Sequence, residues 1–161
     1  MNKKNGNLTW KKVQHDSNRL ANIIIRESPK QFDKIMAITR GGMFPALIIS
    51  EVLNINNIDT ICVQSYKDKN QEPVEIIKFP IVTKKESWLI IDDLIDTGET
   101  IQTIINHIDY RFLDYKSIKP EFSIGVLYGK PKGLSRQLID YYVEDVKDNW
   151  IVFPWEERIN E

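Results

Sequence analysis

The sequence predicts an α/β domain with a mostly parallel sheet. Short apolar runs, which are typical of buried strands, alternate along the chain with longer segments whose apolar residues recur at helical spacing. This alternation is the pattern of a parallel sheet covered by helices. At 161 residues, with 42% apolar and 28% charged side chains, the chain fits one domain, residues 1–161, with a sizeable core.

Three helices are expected from apolar positions that recur every three or four residues; they span about 10–27, 44–53 and 100–108. Thr9 precedes the first helix and offers a side-chain oxygen to its unpaired N–H groups. Pro45 lies in the first turn of the second helix, where a missing N–H costs little. Residues 1–8 are expected to be a frayed terminus, and residues 109–120 a connection.

Six strands are expected from short runs rich in β-branched or aromatic residues; they lie at 35–39, 58–66, 74–82, 88–91, 121–128 and 141–146. The polar segment at 67–73 contains a proline, and we expect it to be a mobile loop. No internal repeat or linker interrupts this order. The sequence therefore gives no reason to expect a second domain.

Charge and composition exclude several classes of protein. Lys and Arg total 22 against 23 Asp and Glu, a net charge of −1, whereas bulk binding of nucleic acid needs a strongly positive field. Cys62 is the single cysteine, so no intrachain disulfide or cysteine metal cluster can form. The longest apolar runs have only a few residues, and a membrane span needs about 18 or more. We therefore expect a protein that is cytoplasmic or at most peripheral at the inner face of the cell membrane, with no nucleic-acid partner.

The most informative stretch is WLIIDDLIDTGET, residues 88–100. An apolar strand leads into the carboxylates of Asp92 and Asp93, and the turn at 96–100 leads into a helix. Backbone N–H groups at a helix N-terminus, together with two Thr hydroxyls, can cradle a phosphate. A carboxylate pair beside it can accept hydrogen bonds from the diol of a ribose. Taken singly, the same residues also fit solvated acids in a loop and a plain helix cap.

The whole string resembles the diphosphate-sugar motif of the type I phosphoribosyltransferases. These enzymes transfer ribose 5-phosphate from phosphoribosyl pyrophosphate (PRPP). Within the family the chain most resembles the bacterial xanthine-guanine phosphoribosyltransferases, over roughly residues 8–157. Five further segments carry this resemblance: NLTWKKVQHDSNRLA, IMAITRGGMFPALIISEVLNI, DTICVQSYKDKNQ, GVLYGKPKG and DYYVEDVKDNWIVFPWE.

The resemblance implies a fold and an activity. The fold is a mostly parallel central sheet flanked by helices, with a mobile flap at about 66–74 and a small C-terminal hood at about 129–157. The activity is purine salvage: guanine, xanthine and hypoxanthine react with PRPP to give GMP, XMP and IMP plus pyrophosphate. The implied cofactor is Mg²⁺. Relatives form tetramers or dimers, and some associate with the inner face of the cell membrane.

The resemblance also assigns roles to the sugar-phosphate residues. Asp92 and Asp93 would engage the ribose hydroxyls, directly or through Mg²⁺. Asp96 would act as general base or acid near the imidazole edge of the purine and stabilise the cationic ribose of the transition state. The 5-phosphate would lie in the turn formed by Asp96, Thr97, Gly98, Glu99 and Thr100. Glu99 departs from the glycine expected in near relatives.

Further roles follow for the leaving group and the base. Arg40 and Gly41, after the first predicted strand, match the pyrophosphate loop. Lys130 would donate to the 6-oxo group of the purine, Trp150 would stack on the base, and Ile151 would offer its backbone to the 2-position. In the flap, Glu72 stands where a basic residue is expected, which bears on the affinity for PRPP.

Two other readings stay open at this point. One is a non-catalytic regulator that keeps this fold to sense nucleotides and binds RNA or another protein. The sequence shows no obvious basic stripe for RNA. The other is a transferase for another nucleobase, such as a pyrimidine or adenine. Lys130 and Trp150 disfavour it, because a Lys side chain only donates hydrogen bonds.

Overall fold

The computed structural model describes residues 6–64, 74–129, 134–146 and 151–156. The strands are β1 (Gly6–Asn7), β2 (Lys34–Thr39), β3 (Ile58–Gln64), β4 (Glu75–Lys78), β5 (Ser87–Ile95), β6 (Glu121–Gly129), β7 (Tyr141–Asp145) and β8 (Ile151–Val152). The α-helices are α1 (Trp10–Glu27), α2 (Met43–Leu53), α3 (Glu99–Arg111) and α4 (Leu134–Gln137). Short 3₁₀ turns occur at Lys116–Ile118 and Pro154–Glu156.

Six strands form one sheet in the order β4-β3-β2-β5-β6-β7. Every neighbouring pair is parallel except β3 and β4, which are antiparallel. The prediction of a mostly parallel α/β sheet is therefore confirmed. The strands β1 and β8 form a separate parallel pair, in which Gly6 lies opposite Ile151.

The core lies on both faces of this sheet. On one face, α1 and α2 bury apolar side chains against the central strands, among them Leu20, Ile24, Ala46, Ile49, Leu89 and Ile91. On the other face, α3 packs its buried side chains against β5 and β6, through Ile101, Ile104, Ile108, Trp88, Ile90 and Val126. The two layers hold the ends of the central strands in place. Within the described ranges, no helix is both long and apolar enough to cross a membrane.

A buried polar network joins α1 to the end of β6. Asp16 is fully buried, accepts a hydrogen bond from the Tyr128 hydroxyl at 2.5 Å, and pairs with the Lys12 ammonium at 2.8 Å. Burial alone would raise the pKa of Asp16, but the hydrogen bonds from Lys12 and Tyr128 outweigh it and lower that pKa. Burial, reinforced by Asp16, raises the pKa of Tyr128. The network ties the first helix to the strand that ends beside β5.

Several element boundaries differ from the sequence prediction. The strand expected at 74–82 ends at Lys78, two residues before Pro80, which has no N–H to donate to a neighbour. The strand expected at 88–91 continues to Ile95, so the two acids lie inside a strand. The helix expected over 100–108 spans 99–111, which shortens the predicted connection.

The two chain ends also depart from expectation. Gly6 and Asn7 were expected to fray, yet they pair with β8, whose residues lie at the opposite end of the sequence. Sequence pattern cannot reveal a two-residue pairing between such distant segments. The predicted loop at 67–73, and the flap around it except for Val74, lie outside the described residues. The short helix α4 carried no sequence signal strong enough to predict.

Candidate active site

The candidate site lies where two neighbouring strands end. The strands β2 and β5 are adjacent and parallel, so the turn at 40–42 lies beside the end of β5. Ligands of open parallel sheets bind at this edge. A cleft of about 810 Å³ opens here. Its lining residues are Arg40, Gly41, Met43, Phe44, Leu47, Asp93, Trp155 and Glu156.

The turn after β2 approaches β5 so closely that a side chain at either glycine would clash unless its neighbour moved. A Cβ on Gly42 would lie 2.2 Å from the backbone oxygen of Ile91 and 2.8 Å from that of Ile38. A Cβ on Gly41 would lie 2.1 Å from a carboxylate oxygen of Asp93. The peptide bond between Thr39 and Arg40 is cis. Arg40, whose side chain is exposed, begins this turn, and the next residue, Gly41, contacts the carboxylate of Asp93.

The carboxylates of Asp92 and Asp93 are both partly buried. Burial, reinforced by the neighbouring charge of Asp93, raises the pKa of Asp92 well above its ordinary value. Burial raises the pKa of Asp93 to about 6, and the carboxylate of Glu156 adds to the shift. Asp92 also accepts a hydrogen bond from the backbone N–H of Asp93 at 2.9 Å. A cation or a hydroxyl donor placed here would relieve the repulsion between the two acids.

The turn after β5 begins α3 without needing a glycine at position 99. Gly98 has φ +89°, a conformation that side chains rarely adopt, and it also packs against Ser135. Glu99 is the first helical residue, so its backbone suits any side chain. Its N–H donates to the Thr97 hydroxyl at 3.3 Å. The departure at Glu99 therefore leaves the turn intact, and an acid in the first turn complements the helix dipole.

The sequence matches a family model for the phosphoribosyl transferase domain over residues 8–161. A xanthine-guanine phosphoribosyltransferase from Desulfotalea psychrophila is 40% identical over 151 residues, covering 92% of this chain and 84% of the relative. A second, from Nitratidesulfovibrio vulgaris, is 33% identical over 153 residues, covering 94% and 85%. The chain belongs to the phosphoribosyltransferase family. The predicted family and enzyme class are thereby confirmed.

A solved phosphoribosyltransferase supports the same fold. The purine phosphoribosyltransferase from Pyrococcus horikoshii superposes with a TM-score of 0.75 at 32% sequence identity. The match covers 98% of this chain and 97% of that structure. The predicted type I fold is therefore confirmed over nearly the whole chain.

The structure brings some predicted site residues of this phosphoribosyltransferase together and leaves others undescribed. Arg40, Gly41 and Asp93 line one cleft. The turn at 96–100 begins directly after the end of β5, the strand that carries Asp93. Ile151 is buried in β8. Lys130, Trp150 and Glu72 lie outside the described residues. The predictions for these three therefore stay predictions.

Sequence reasoning missed five residues of the cleft: Met43, Phe44 and Leu47 of α2, and Trp155 and Glu156. Trp155 and Glu156 reach it from the turn that follows β8. The carboxylate of Glu156 accepts from the backbone N–H of Phe153 at 2.9 Å, which holds the turn closed. The signal was present as an aromatic and acidic tail after Ile151, but nothing in its spacing showed that it folds back onto the strand end.

The acid pair fits a magnesium ion. Mg²⁺ is usually held by one or two carboxylates together with waters and substrate phosphates. Among the described residues no three His, Cys, Asp or Glu side chains group to hold a metal. Two adjacent carboxylates would nevertheless supply oxygen donors to such an ion, with waters and substrate phosphates as its other ligands. The phosphoribosyltransferase family generally depends on this metal.

The free energy of unfolding of the ligand-free Asp93→Asn variant should rise relative to that of the wild type as the pH increases from 4 to 6. The pKa of Asp93 is about 6 in the folded protein, above its ordinary value of 3.8. The folded state therefore binds this proton more tightly, and the wild type loses stability as pH rises from about 4 to about 6. Asparagine does not ionise and avoids that loss. Urea unfolding in EDTA at pH 4, 5, 6 and 7 measures the difference.

Asp114→Asn is the matched control for this pH effect, because Asp114 is an exposed acid beyond the end of α3. Its free energy of unfolding is measured over the same pH range. A flat difference between Asp93→Asn and the wild type would contradict the raised pKa.

Proposed function

We propose that the protein transfers the 5-phosphoribosyl group from PRPP to guanine, xanthine and hypoxanthine. The products are GMP, XMP and IMP plus pyrophosphate. The observation that carries the proposal is the position of the acid pair between two turns suited to anions. The turn at 40–42 contacts Asp93, and the turn at 96–100 directly follows β5, the strand that carries Asp93. The family membership and the names of the relatives support it.

The phosphate end of the substrate would lie at the start of α3. The first N–H groups of a helix have no partner within it, and the helix dipole favours an anion there. Gly98 allows the turn, and Thr97 and Thr100, which carry hydroxyls, lie on either side of it in the chain. These features supply several donors to a 5-phosphate.

The pyrophosphate end would lie against Arg40 and Gly41. The guanidinium of Arg40 is exposed beside the cleft and matches a phosphate in charge and shape. Asp92 and Asp93 would hold Mg²⁺ together with the ribose hydroxyls. When bound, the ion would neutralise charge on the departing pyrophosphate. Because Asp92 and Asp93 would hold the ribose, its carbon C1′ would stay between the two turns proposed to bind phosphate.

Asp96 would assist the chemical step. A ring nitrogen of the purine bonds to C1′ as the bond from C1′ to pyrophosphate breaks, and the base loses a proton. Asp96 is exposed at the end of β5, where a carboxylate can accept that proton. Its negative charge would also stabilise the positive charge that develops on the ribose.

The base would be read by three residues near the C-terminal hood. Gly129 pairs with Ile95, so β6 ends beside the sugar-phosphate turn just before Lys130 in the chain. In this proposal Lys130 donates to the 6-oxo group, Trp150 stacks on the ring, and the backbone of Ile151 accepts from the 2-amino group. The aromatic rings of Phe153 and Trp155 stack at 4.7 Å just after Ile151 and support this segment.

Lys130→Gln should shrink the discrimination between guanine and adenine, mostly because guanine is used less well. The lysine has three donors and no acceptor, so it suits a 6-oxo base and opposes a 6-amino base. An unpaired buried donor costs about 1–3 kcal/mol, which corresponds to roughly 5- to 150-fold in kcat/KM. The measurement is the ratio of kcat/KM for the two bases in both proteins. An unchanged ratio would mean that the 6-position is read elsewhere.

The flap carries the main departure from the family pattern. Glu72 lies where a basic residue would reach the pyrophosphate, and Lys67, Lys69 or Lys78 could supply that charge. Lys78 already donates to the Thr60 hydroxyl at 2.9 Å. This favours Lys67 and Lys69, which belong to the flap, as the residues that compensate.

A base panel tests the proposed function. The purified chain is incubated with PRPP, Mg²⁺ and one base at a time, and nucleotide formation is followed by chromatography. We expect product from guanine, xanthine and hypoxanthine, none when Mg²⁺ is chelated, and little from adenine. Failure with every 6-oxopurine would overturn the proposal. Binding of nucleotides without turnover would instead favour a nucleotide-sensing regulator.

We also propose a cytoplasmic, homo-oligomeric enzyme of two or four subunits. The single cysteine and the reducing environment it suits support the first part. The second part is what the resemblance to the xanthine-guanine phosphoribosyltransferases implies.

A further inference from the structure

A buried hydroxyl and a buried carboxylate meet near the end of β6, and the proposed reaction uses neither of them. Tyr128 is 1% exposed, Asp16 is fully buried, and the Tyr128 hydroxyl donates to a carboxylate oxygen of Asp16. A hydrogen bond to an ionised carboxylate is stronger than one between neutral groups, and a buried group left without its partner is costly. The bond therefore fixes Tyr128 to α1, one residue before Gly129 ends the strand.

The Asp16 carboxylate is itself held by other side chains of α1. One of its oxygens accepts from Tyr128 and lies 2.8 Å from the Lys12 ammonium. The other oxygen lies 3.0 Å from Nδ1 of His15 and 3.7 Å from the guanidinium of Arg19. A carboxylate contacted at both oxygens cannot rotate without losing contacts. Asp16 is therefore a fixed anchor for the Tyr128 hydroxyl.

Tyr128 links this anchor to both pieces of chain that are proposed to hold the base. Its own strand ends at Gly129, directly before Lys130 in the chain. Its ring packs against the ring of Phe153, with the ring centres 5.9 Å apart. Phe153 lies two residues after Ile151, the first residue of β8. A displaced Tyr128 side chain would therefore disturb the strand end and the segment after β8 together.

The start of α1 reaches the same segment by a second route. Leu8, two residues before the helix, donates its backbone N–H to the backbone oxygen of Val152 at 2.9 Å. Thr9 then caps the helix. The helix thus contacts β8 through Leu8 and the end of β6 through Asp16, so both pieces are fixed relative to one element.

We propose that Tyr128 and Asp16 are positioning residues for the purine base. The inference rests on the proposed function, in which Lys130 and Ile151 contact the base. The hydrogen bond between Tyr128 and Asp16 sets where the end of β6 and the segment after β8 stand, and thereby sets the affinity for the base. A binding group misplaced by about 1 Å can cost about 100-fold, so a small shift has a measurable effect.

The sugar and phosphate should be insensitive to this hydrogen bond. Tyr128 lies opposite Leu94 in the backbone pairing of β6 with β5, the strand that carries the acid pair and leads to the turn at 96–100. Replacing Tyr128 with phenylalanine removes only the hydroxyl, so this backbone pairing and the ring contact with Phe153 remain. The loss should therefore fall on the base.

Isothermal titration calorimetry of the full chain with GMP and with ribose 5-phosphate tests the proposal, because the second ligand lacks only the base. For Tyr128→Phe we expect the Kd for GMP to rise about 10-fold or more. The Kd for ribose 5-phosphate should equal that of the wild type. Partial unfolding would lower the number of binding sites per chain and would not separate the two ligands. The split therefore distinguishes positioning from stability.

Tyr141→Phe is the matched control. Tyr141 is also buried in the core, at 7% exposure, on the neighbouring strand β7 and opposite Gly125. Its Kd for each ligand should equal that of the wild type. Asp16→Asn keeps an oxygen that can accept from Tyr128 but loses the charge, so the Kd for GMP should rise by a smaller factor, about threefold. Combined with Tyr128→Phe, its effect should be less than additive, because the two groups share one hydrogen bond.

Three outcomes for Tyr128→Phe would overturn the proposal: an unchanged Kd for GMP, an equal rise for both ligands, or the same rise in Tyr141→Phe. A wild type that binds no GMP would overturn it as well. Far-ultraviolet circular dichroism checks folding, and if Tyr128→Phe is unfolded, an unchanged Kd for GMP in Asp16→Asn overturns the proposal. A wild type that binds GMP without catalysing transfer would count against the proposed function alone, and the two Kd values would still decide the role of Tyr128.

Discussion

Replacing Asp96 with asparagine is expected to lower kcat by about 10²–10⁴-fold, with little change in KM for PRPP or the base. Asparagine has nearly the same shape and still fits the end of β5. It can neither take a proton from the purine nor stabilise the positive charge on the ribose. The loss should therefore fall on the chemical step.

Steady-state kinetics with guanine and PRPP measure this effect. Asp114→Asn serves as the matched control, because Asp114 is an exposed acid at the opposite end of α3 from the site. Its kcat and KM should equal those of the wild type. A rise in KM at unchanged kcat for Asp96→Asn would show that Asp96 only holds a ligand.

Gly42→Ala is expected to have the largest effect on stability. The added Cβ would lie 2.2 Å from the backbone oxygen of Ile91 and 2.8 Å from that of Ile38. Both are backbone atoms inside the central sheet, so the strands would have to move apart. Forcing extra volume into a packed site typically costs about 1–3 kcal/mol, and more where backbone must shift. The free energy of unfolding in urea measures the loss.

Gly41→Ala is the natural comparison. The three atoms nearest to its Cβ would all belong to the carboxylate of Asp93, which lies at the end of a side chain and can rotate away. We expect a smaller loss of stability than for Gly42→Ala. Activity should nevertheless fall, because the acid is displaced from the cleft. Equal stability losses for the two variants would show that the turn itself, rather than its contact with β5, sets the cost.

The sequence was sufficient to predict the fold because its strongest patterns are local. Thr9 was expected to cap the first helix, and its hydroxyl accepts from the N–H of Lys12 at 3.1 Å. The parallel sheet followed from the alternation of apolar runs and amphipathic segments. The motif at 88–100 also indicated that two acids and a turn into a helix follow one another at a strand end, and the acids do lie near the end of β5 with α3 starting just after it.

What the sequence could not show depends on contacts between distant segments. The acids were expected after a strand, but β5 continues through them because β6 pairs alongside as far as Gly129. The effect of a side chain at position 99 on the turn could be judged only from the structure, which has the positive φ at Gly98. Trp155 and Glu156 joined the cleft through a turn that folds back from β8. No periodicity in the sequence predicts that this turn folds back onto the strand end.

The pairing of Gly6 with Ile151 has a consequence for the order in which the molecule is made. Domains fold as synthesis proceeds, and the strands of the six-stranded sheet all lie between Lys34 and Asp145. The partner of β1 is synthesised six residues after the last strand of that sheet. The first strand can dock only when translation has passed Val152. The segment at 150–151 that is proposed to contact the base is therefore the last part of the proposed site to be synthesised, after both sugar-phosphate turns.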